Sequence, residues 1–288
     1  MIGSNGGMRL PRWGLRLPDP APDPASNPDT GEEFERLAAM AGRAEESGFD
    51  SVWVTDHAGS VLGQPGGFEL LFEAYSLLGA LASRTTSVGL GVIPRGPTVR
   101  LPSMVAKIVT GVDVISHGRA LLSLGIDPGE GADAIPRLGE ELAVCRALLT
   151  EEAPSYGGRF YQLDHAPNRP RPVRTGGIPL LVVADDPAVA EPAARRADGV
   201  VVGGDAGRVV AMIAALDRQC ESVGRDRGEV GVIWSGGVDG GPDRLGDHLR
   251  SLAAIGVAGC VVSLADGYHP DAITAAGKAV SAVAFGEG

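Results

Sequence analysis

The chain has 288 residues, with 25 basic against 36 acidic side chains and a net charge of −11; this balance excludes nucleic acid and anionic membrane surfaces as partners, since both select basic patches. Its 44% hydrophobic content supplies a large core, and no stretch nears the roughly 18 uninterrupted apolar residues that cross a bilayer. Met1–Gly7 lacks the charged-then-apolar order of a secretion signal, residues 1–8 are expected to be disordered, and the widely spaced Cys145, Cys220 and Cys260 read as buried reduced thiols of a cytoplasmic protein.

Taken in order, Arg12–Pro18 opens as a strand, and Phe34, Leu37, Ala38 and Ala41 form a helical stripe. Asp50–His57 is the second strand; Leu70, Ala74, Leu77, Leu78 and Leu81 make the next stripe. Thr86–Pro94 and Ala120–Ile126 are the third and fourth strands. Residues 151–174 carry no helical period. They contain Tyr156-Gly157-Gly158-Arg159-Phe160-Tyr161, which suits a hairpin, and are expected to form an excursion on the rim. Ile178–Asp185, Asp198–Asp205, Glu229–Gly237 and Gly259–Asp266 are the last four strands. Helical stripes Val209, Ile213, Leu216, Cys220 and Leu245, Leu249, Leu252 stand between them.

Strand interiors such as Leu180-Leu181-Val182-Val183 are continuously apolar, as in parallel strands covered on both faces. Gly48, Gly118, Gly224 and Gly256 each end a helix just before a strand, where a left-handed cap is needed. Eight strands alternating with helices predict a closed (β/α)8 TIM barrel in one domain, residues 1–288, rather than an open doubly wound sheet.

In such a barrel the C-terminal strand ends meet around one mouth. His57 ends the second strand, where a neutral imidazole can exchange protons near pH 7 or, equally, serve as a structural histidine satisfied by a loop carbonyl. Asp56 points to the opposite face if the strand continues. Tyr268-His269 follows strand eight, and His269 reads first as decoration of the last helix. His117, His165 and His248 read as surface residues. Gly203-Gly204 and Gly236-Gly237 stand at strand ends and could cradle phosphate, the second pair just before a helix-capping Asp243. The turn Asp185-Asp186-Pro187 is acidic and repels an anion. No spacing suggests metal ligands.

The run Ala44-Glu45-Glu46-Ser47-Gly48-Phe49-Asp50-Ser51-Val52-Trp53-Val54-Thr55-Asp56-His57 resembles the second-strand signature of the luciferase-like monooxygenases, in their F420-dependent oxidoreductase branch. Glu73 to Ala82, Val88-Gly89-Leu90-Gly91, Pro102 to Lys107, Val112 to Arg119, Leu124-Gly125, the Tyr156–Tyr161 hairpin and Arg196-Ala197-Asp198-Gly199 follow in the family's order. The resemblance covers about residues 12–205.

It implies a barrel that seats coenzyme F420, or alternatively FMN, in its mouth and works as a homodimer on a small organic substrate. His57 would be the proton donor or acceptor beside the ring. Asp56, Ile93, Pro94, Arg95, Asp127, Gly203 and Gly204 would be cofactor-binding positions, with a cis Ile93–Pro94 bond supporting the ring. Asp185-Asp186-Pro187 replaces the family's glycine-rich phosphate turn. An anionic tail would then turn to Arg95, Arg100 or Arg137, and a non-catalytic or ligand-sensing protein with weakened cofactor binding is the alternative.

Overall fold

The computed structural model describes residues 10–19, 30–57, 72–95, 100–126, 131–174, 176–264 and 267–284, the side chains of Thr30 and His57 excepted. The expected disorder of residues 1–8 lies outside these.

All eight expected strands form, in chain order alternating with helices. They are β1 (Trp13–Arg16), α1 (Thr30–Glu46), β2 (Ser51–His57), α2 (Ala74–Ala82), β3 (Gly89–Arg95), α3 (Pro102–Ile115), β4 (Leu122–Gly125) and α4 (Ala134–Thr150). A small hairpin, β5 (Tyr156–Gly157) and β6 (Gln162–Leu163), intervenes. Then come β7 (Leu180–Val183), α5 (Ala190–Arg196), β8 (Gly199–Gly203), α6 (Ala206–Val223), β9 (Gly231–Gly237), α7 (Gly241–Ala254), β10 (Gly259–Ser263) and α8 (Pro270–Ser281).

The parallel sheet runs β3-β2-β1-β10-β9-β8-β7-β4. Its two ends meet through a bridge between Leu90 and Ala120, in which the Leu90 N–H donates to the Arg119 carbonyl at 2.8 Å and the Leu121 N–H to Leu90 at 2.9 Å. The sheet is therefore a (β/α)8 barrel. The anticipated glycine caps hold their left-handed backbone, with φ of 92° at Gly48, 88° at Gly118, 68° at Gly224 and 98° at Gly256. Arg119 locks the seam, since its guanidinium donates to the carbonyls of Ser116, Val88, Ala82 and Thr85 and to the Thr85 hydroxyl.

Alternation along each strand splits the core in two. Val52, Val54, Leu90, Val92, Leu122, Leu124, Leu180, Val182, Val200 and Val202 pack outward against the helices. Trp53, Ile93, Leu121, Leu181, Val201, Ile233 and Val261 fill the lumen. Each such buried aliphatic side chain contributes about 1.5–3 kcal/mol.

Two expectations are corrected. The Ile93–Pro94 bond is not cis; the cis bond among the described residues is Arg169–Pro170. Ile93 and Pro94 instead continue β3 in register with Thr55 and Asp56. Leu90 bonds toward β4, so by alternation position 94 also faces that side, beyond the bridge, where the missing proline N–H breaks no ladder. The expected hairpin excursion between the fourth and fifth barrel strands forms as β5 and β6. It lies along α4, where Glu140 accepts from the N–H groups of Arg159, Phe160 and Tyr161, and Arg159 pairs with Asp133 at 2.9 Å. Finally, Asp243 is not the cap of α7, which begins after Gly240.

Candidate functional site

The lumen changes character along the barrel axis. Its lower part is plugged: the Trp53 indole lies against Gly14, where an added Cβ would sit 2.6 Å from Nε1, and against Gly91. Leu10 closes the bottom against Gly199 and Gly231. Toward the strand C-termini, alternation brings inward Arg16, Thr55, Ser123, Gly125, Val183, Gly203, Ser235 and Ser263, the last three half-exposed or nearly so toward the mouth. Thr55 and Ser123 are 4% and 2% exposed, yet Thr55 Oγ1 and Ser123 Oγ have no hydrogen-bond partner.

Arg16 is half-buried, and its guanidinium meets no partner among the described residues. Its carbonyl is pinned by the Tyr268 hydroxyl, which donates at 2.7 Å and accepts from the Leu264 N–H at 3.3 Å. Burial raises the Tyr268 phenol above its usual range.

His57 closes β2 in register with Arg95, which is exposed. Asp56 is buried on the outward face, with Arg100 Nη1 at 2.6 Å and Nη2 at 3.4 Å from its two oxygens. Arg100 also reaches Glu73 at 2.8 Å and stacks 5.3 Å over Tyr75. Glu73 in turn caps α2 through the Ser76 N–H and hydroxyl. Burial alone would raise the Glu73 carboxyl, but Ser76, the Tyr75 N–H and Arg100 bring it down. Burial, then the nearby Asp56 charge, pushes the Tyr75 phenol up. Asp56 is thus engaged by protein at the outer edge of the mouth. Ile93 is buried in the lumen and Pro94 is half-buried above it. Asp127 lies outside the described residues.

Gly203 and Gly204 stand beside an ion pair. Asp185 accepts from the Gly203 N–H at 3.0 Å and pairs with Arg208 at 2.9 Å. Gly204 has φ of 87°, and its carbonyl takes the Trp234 indole N–H at 2.9 Å. Asp205 caps α6 through the Arg208 N–H at 3.0 Å, and Asp186 caps the turn at Pro187. A free N–H and a guanidinium are what an incoming anion needs; here the Asp185 carboxylate already holds both. Of the other two cations expected to serve an anionic tail, Arg100 is committed to Asp56, and Arg137 stacks on Phe160 at 5.3 Å.

The remaining histidines divide. His269 caps α8 and is exposed, as are His117 and His165, both turn residues with positive φ. His248 departs from the surface reading: it is half-buried with its ring 4.8 Å from Trp234, and burial lowers its pKa. Cys145, Cys220 and Cys260 are free and buried, as expected. Among the described residues no cluster could hold a metal ion, and no helix is long and apolar enough to cross a membrane.

The sequence reading missed Arg16, Thr55 and Ser123. The available signal was a single polar residue interrupting an apolar strand, as in Leu121-Leu122-Ser123-Leu124, joined to strand parity. The residues present suit a polar group in the mouth, because buried hydroxyls without partners leave bonding capacity there. They do not leave an anion cradle open at Gly203.

Known proteins match this chain in both sequence and fold. It is 29% identical over 210 residues to the F420-dependent glucose-6-phosphate dehydrogenase of Kineococcus radiotolerans, covering 68% of this chain and 61% of that protein. It is 31% identical over 211 residues to the 5,10-methylenetetrahydromethanopterin reductase of Methanolobus tindarius, covering 68% and 59%. The matched part thus spans about 60% of the length of these curated relatives. The fold superposes on the coenzyme F420 dependent tetrahydromethanopterin reductase from Methanopyrus kandleri with a TM-score of 0.75 at 18% identity, covering 95% of this chain and 99% of that one. The model of the luciferase-like monooxygenases matches residues 19–244, and the chain belongs to that family.

Proposed function

We propose that the chain is an F420-dependent oxidoreductase that moves a hydride between the deazaflavin and a small organic substrate, with FMN as the alternative cofactor. The observation that carries this reading is the polar upper lumen, where Thr55 Oγ1 and Ser123 Oγ are buried without partners beneath the end of β2. The F420-dependent relatives support the choice of cofactor. When bound, the coenzyme supplies the redox chemistry; Ile93 and Pro94 would hold its ring. Our reading makes His57 the group that gives or takes the proton, and Asp56 a positioning residue that acts through Arg100. Trp53, packed under the mouth, excludes water from below.

Titration with F420 and with FMN tests this. Quenching of F420 fluorescence at micromolar concentration is expected, and His57→Ala should retain binding while losing turnover by about 10²–10⁴-fold. Failure of both cofactors to bind at high protein concentration rejects the reading.

The Asp185–Arg208 pair favours a second reading, a ligand-sensing or non-catalytic homologue whose cofactor binding is weakened. Displacing the carboxylate should matter there. Replacing Asp185 and Asp186 by glycine is expected to tighten F420 by about tenfold, the scale of a close like-charge contact; unchanged affinity removes the reason for this reading. A homodimer is part of the leading proposal. It draws support from the exposed stripe Leu101, Met104 and Ile115 on α3, beside Val173, whose N–H bonds Asp113. The buried free thiols support placement in the cytoplasm.

A further inference from the structure

We infer that Arg16, with Thr55 and Ser123, forms an oxyanion-recognising subsite low in the barrel mouth, so that the substrate taken there is an organic acid. The inference rests on the reading of the mouth as the ligand site and adds the chemical class of the substrate. Arg16 occupies an inward position on β1: Gly14, two residues earlier, faces the Trp53 indole and the Ser51 hydroxyl, while Leu15 and Leu17 lie in the outer core. Its pairing with Trp53 on β2 sets its backbone level with that residue of the apolar plug.

The guanidinium is half-buried and has no carboxylate to answer it among the described residues. The acidic groups of this end are taken elsewhere: Asp56 by Arg100 on the outer face, Asp185 by Arg208, and Asp19 has a contact of its own. Alternation also brings Arg95 inward at the exposed end of β3, and the Asp185 carboxylate beside Gly203 is already paired with Arg208, which leaves Arg16 as the deeper, half-buried cation inside a chain whose net charge is −11.

Two further observations point to a ligand. Thr55 Oγ1 and Ser123 Oγ are nine-tenths buried or more, face the same space by strand parity and lack partners. A hydroxyl in that state is completed by an acceptor or donor from outside the chain. Arg16 is also held for the task, because Tyr268 ties its carbonyl to the end of β10. A guanidinium fork presents paired donors to a carboxylate, which a neutral amide of the same shape cannot match.

The test uses the full chain without coenzyme, so a failure of F420 to bind leaves it readable. Calorimetric titration should show benzoate binding about tenfold more tightly than benzamide, its neutral counterpart, as a charge-assisted fork requires. Arg16→Gln should abolish that preference, Arg16→Lys should keep part of it, and Thr55→Val or Ser123→Ala should weaken both probes several-fold. Near-UV circular dichroism checks that each variant is folded. Undetectable benzoate binding, equal affinity for the two probes, or a preference that survives in Arg16→Gln overturns the inference. Repeating the titration with F420 present separates the two sources of an oxyanion: unchanged benzoate affinity supports a substrate subsite, whereas competition assigns Arg16 to the coenzyme and overturns the substrate claim.

Discussion

In the lower lumen Trp53, Leu121, Leu181, Val201, Ile233 and Val261 pack to exclusion of space, and the Trp53 Nε1 donor finds the Ser51 hydroxyl at 3.0 Å. In the upper lumen the same strands present Arg16, Thr55, Ser123, Ser235 and Ser263, and three of these hydroxyls, those of Thr55, Ser123 and Ser263, are buried without partners. Backbone geometry is shared by the two halves, so the difference lies in what each side chain costs if it stays unfilled. An apolar plug is complete in itself. A buried hydroxyl without a partner costs about 1–3 kcal/mol, and its retention marks a place where stability is given up to something that binds.

Substitution in the lower half should break the comparison most strongly. Trp53→Ala removes the largest fully buried side chain and should lower unfolding free energy by about 3–5 kcal/mol, read from denaturant midpoints. Overfilling should cost less: Gly14→Ala drives a methyl into the indole, 2.6 Å from Nε1, and is expected to lose about 1–3 kcal/mol in the same assay.

A pair of valine substitutions sharpens the contrast. Thr55→Val should leave stability within about 1 kcal/mol of wild type, or raise it, because no bond is lost. Thr110→Val should instead lose about 1–2 kcal/mol, since that hydroxyl donates to the Ala106 carbonyl and accepts from Asn168. Equal losses would mean that Thr55 is satisfied after all.

The smallest effect lies at the closed end, where polar groups are answered by protein. Burial would raise the Glu45 carboxyl, but the Ser87 hydroxyl and the N–H groups of Ser87, Thr86 and Val88 bring it down to about 2 from 4.5. The folded value lies below the unfolded one, so this stabilisation is complete above about pH 4.5 and drains away as pH falls toward 2. Glu45→Gln should flatten the stability profile in that window, measured by denaturation at successive pH values. Solvent access at this site keeps the effect modest.

Much of this was legible from residue order. The eight strands, the glycine caps at Gly48, Gly118, Gly224 and Gly256, and the Tyr156–Tyr161 hairpin all follow from local periodicity and backbone preference. Asp56 shows where that reading stops: its partner, Arg100, is 44 residues away. Asp185 likewise looked only repulsive until Arg208 was found beside it. Arg16 and Thr55 were hidden for another reason, since their strands are apolar on both faces and give no visible alternation to reveal which residues point inward.

By itself the sequence determined that eight parallel strands alternate with helices, and which strand ends gather at the mouth, because hydrophobic period and left-handed glycine positions act over a few residues. Only the closed barrel decided which face of each strand looks into the lumen, which carboxylates are already paired, and that Arg16, Thr55 and Ser123 all face inward. Those facts depend on register and closure, which join residues far apart in the chain.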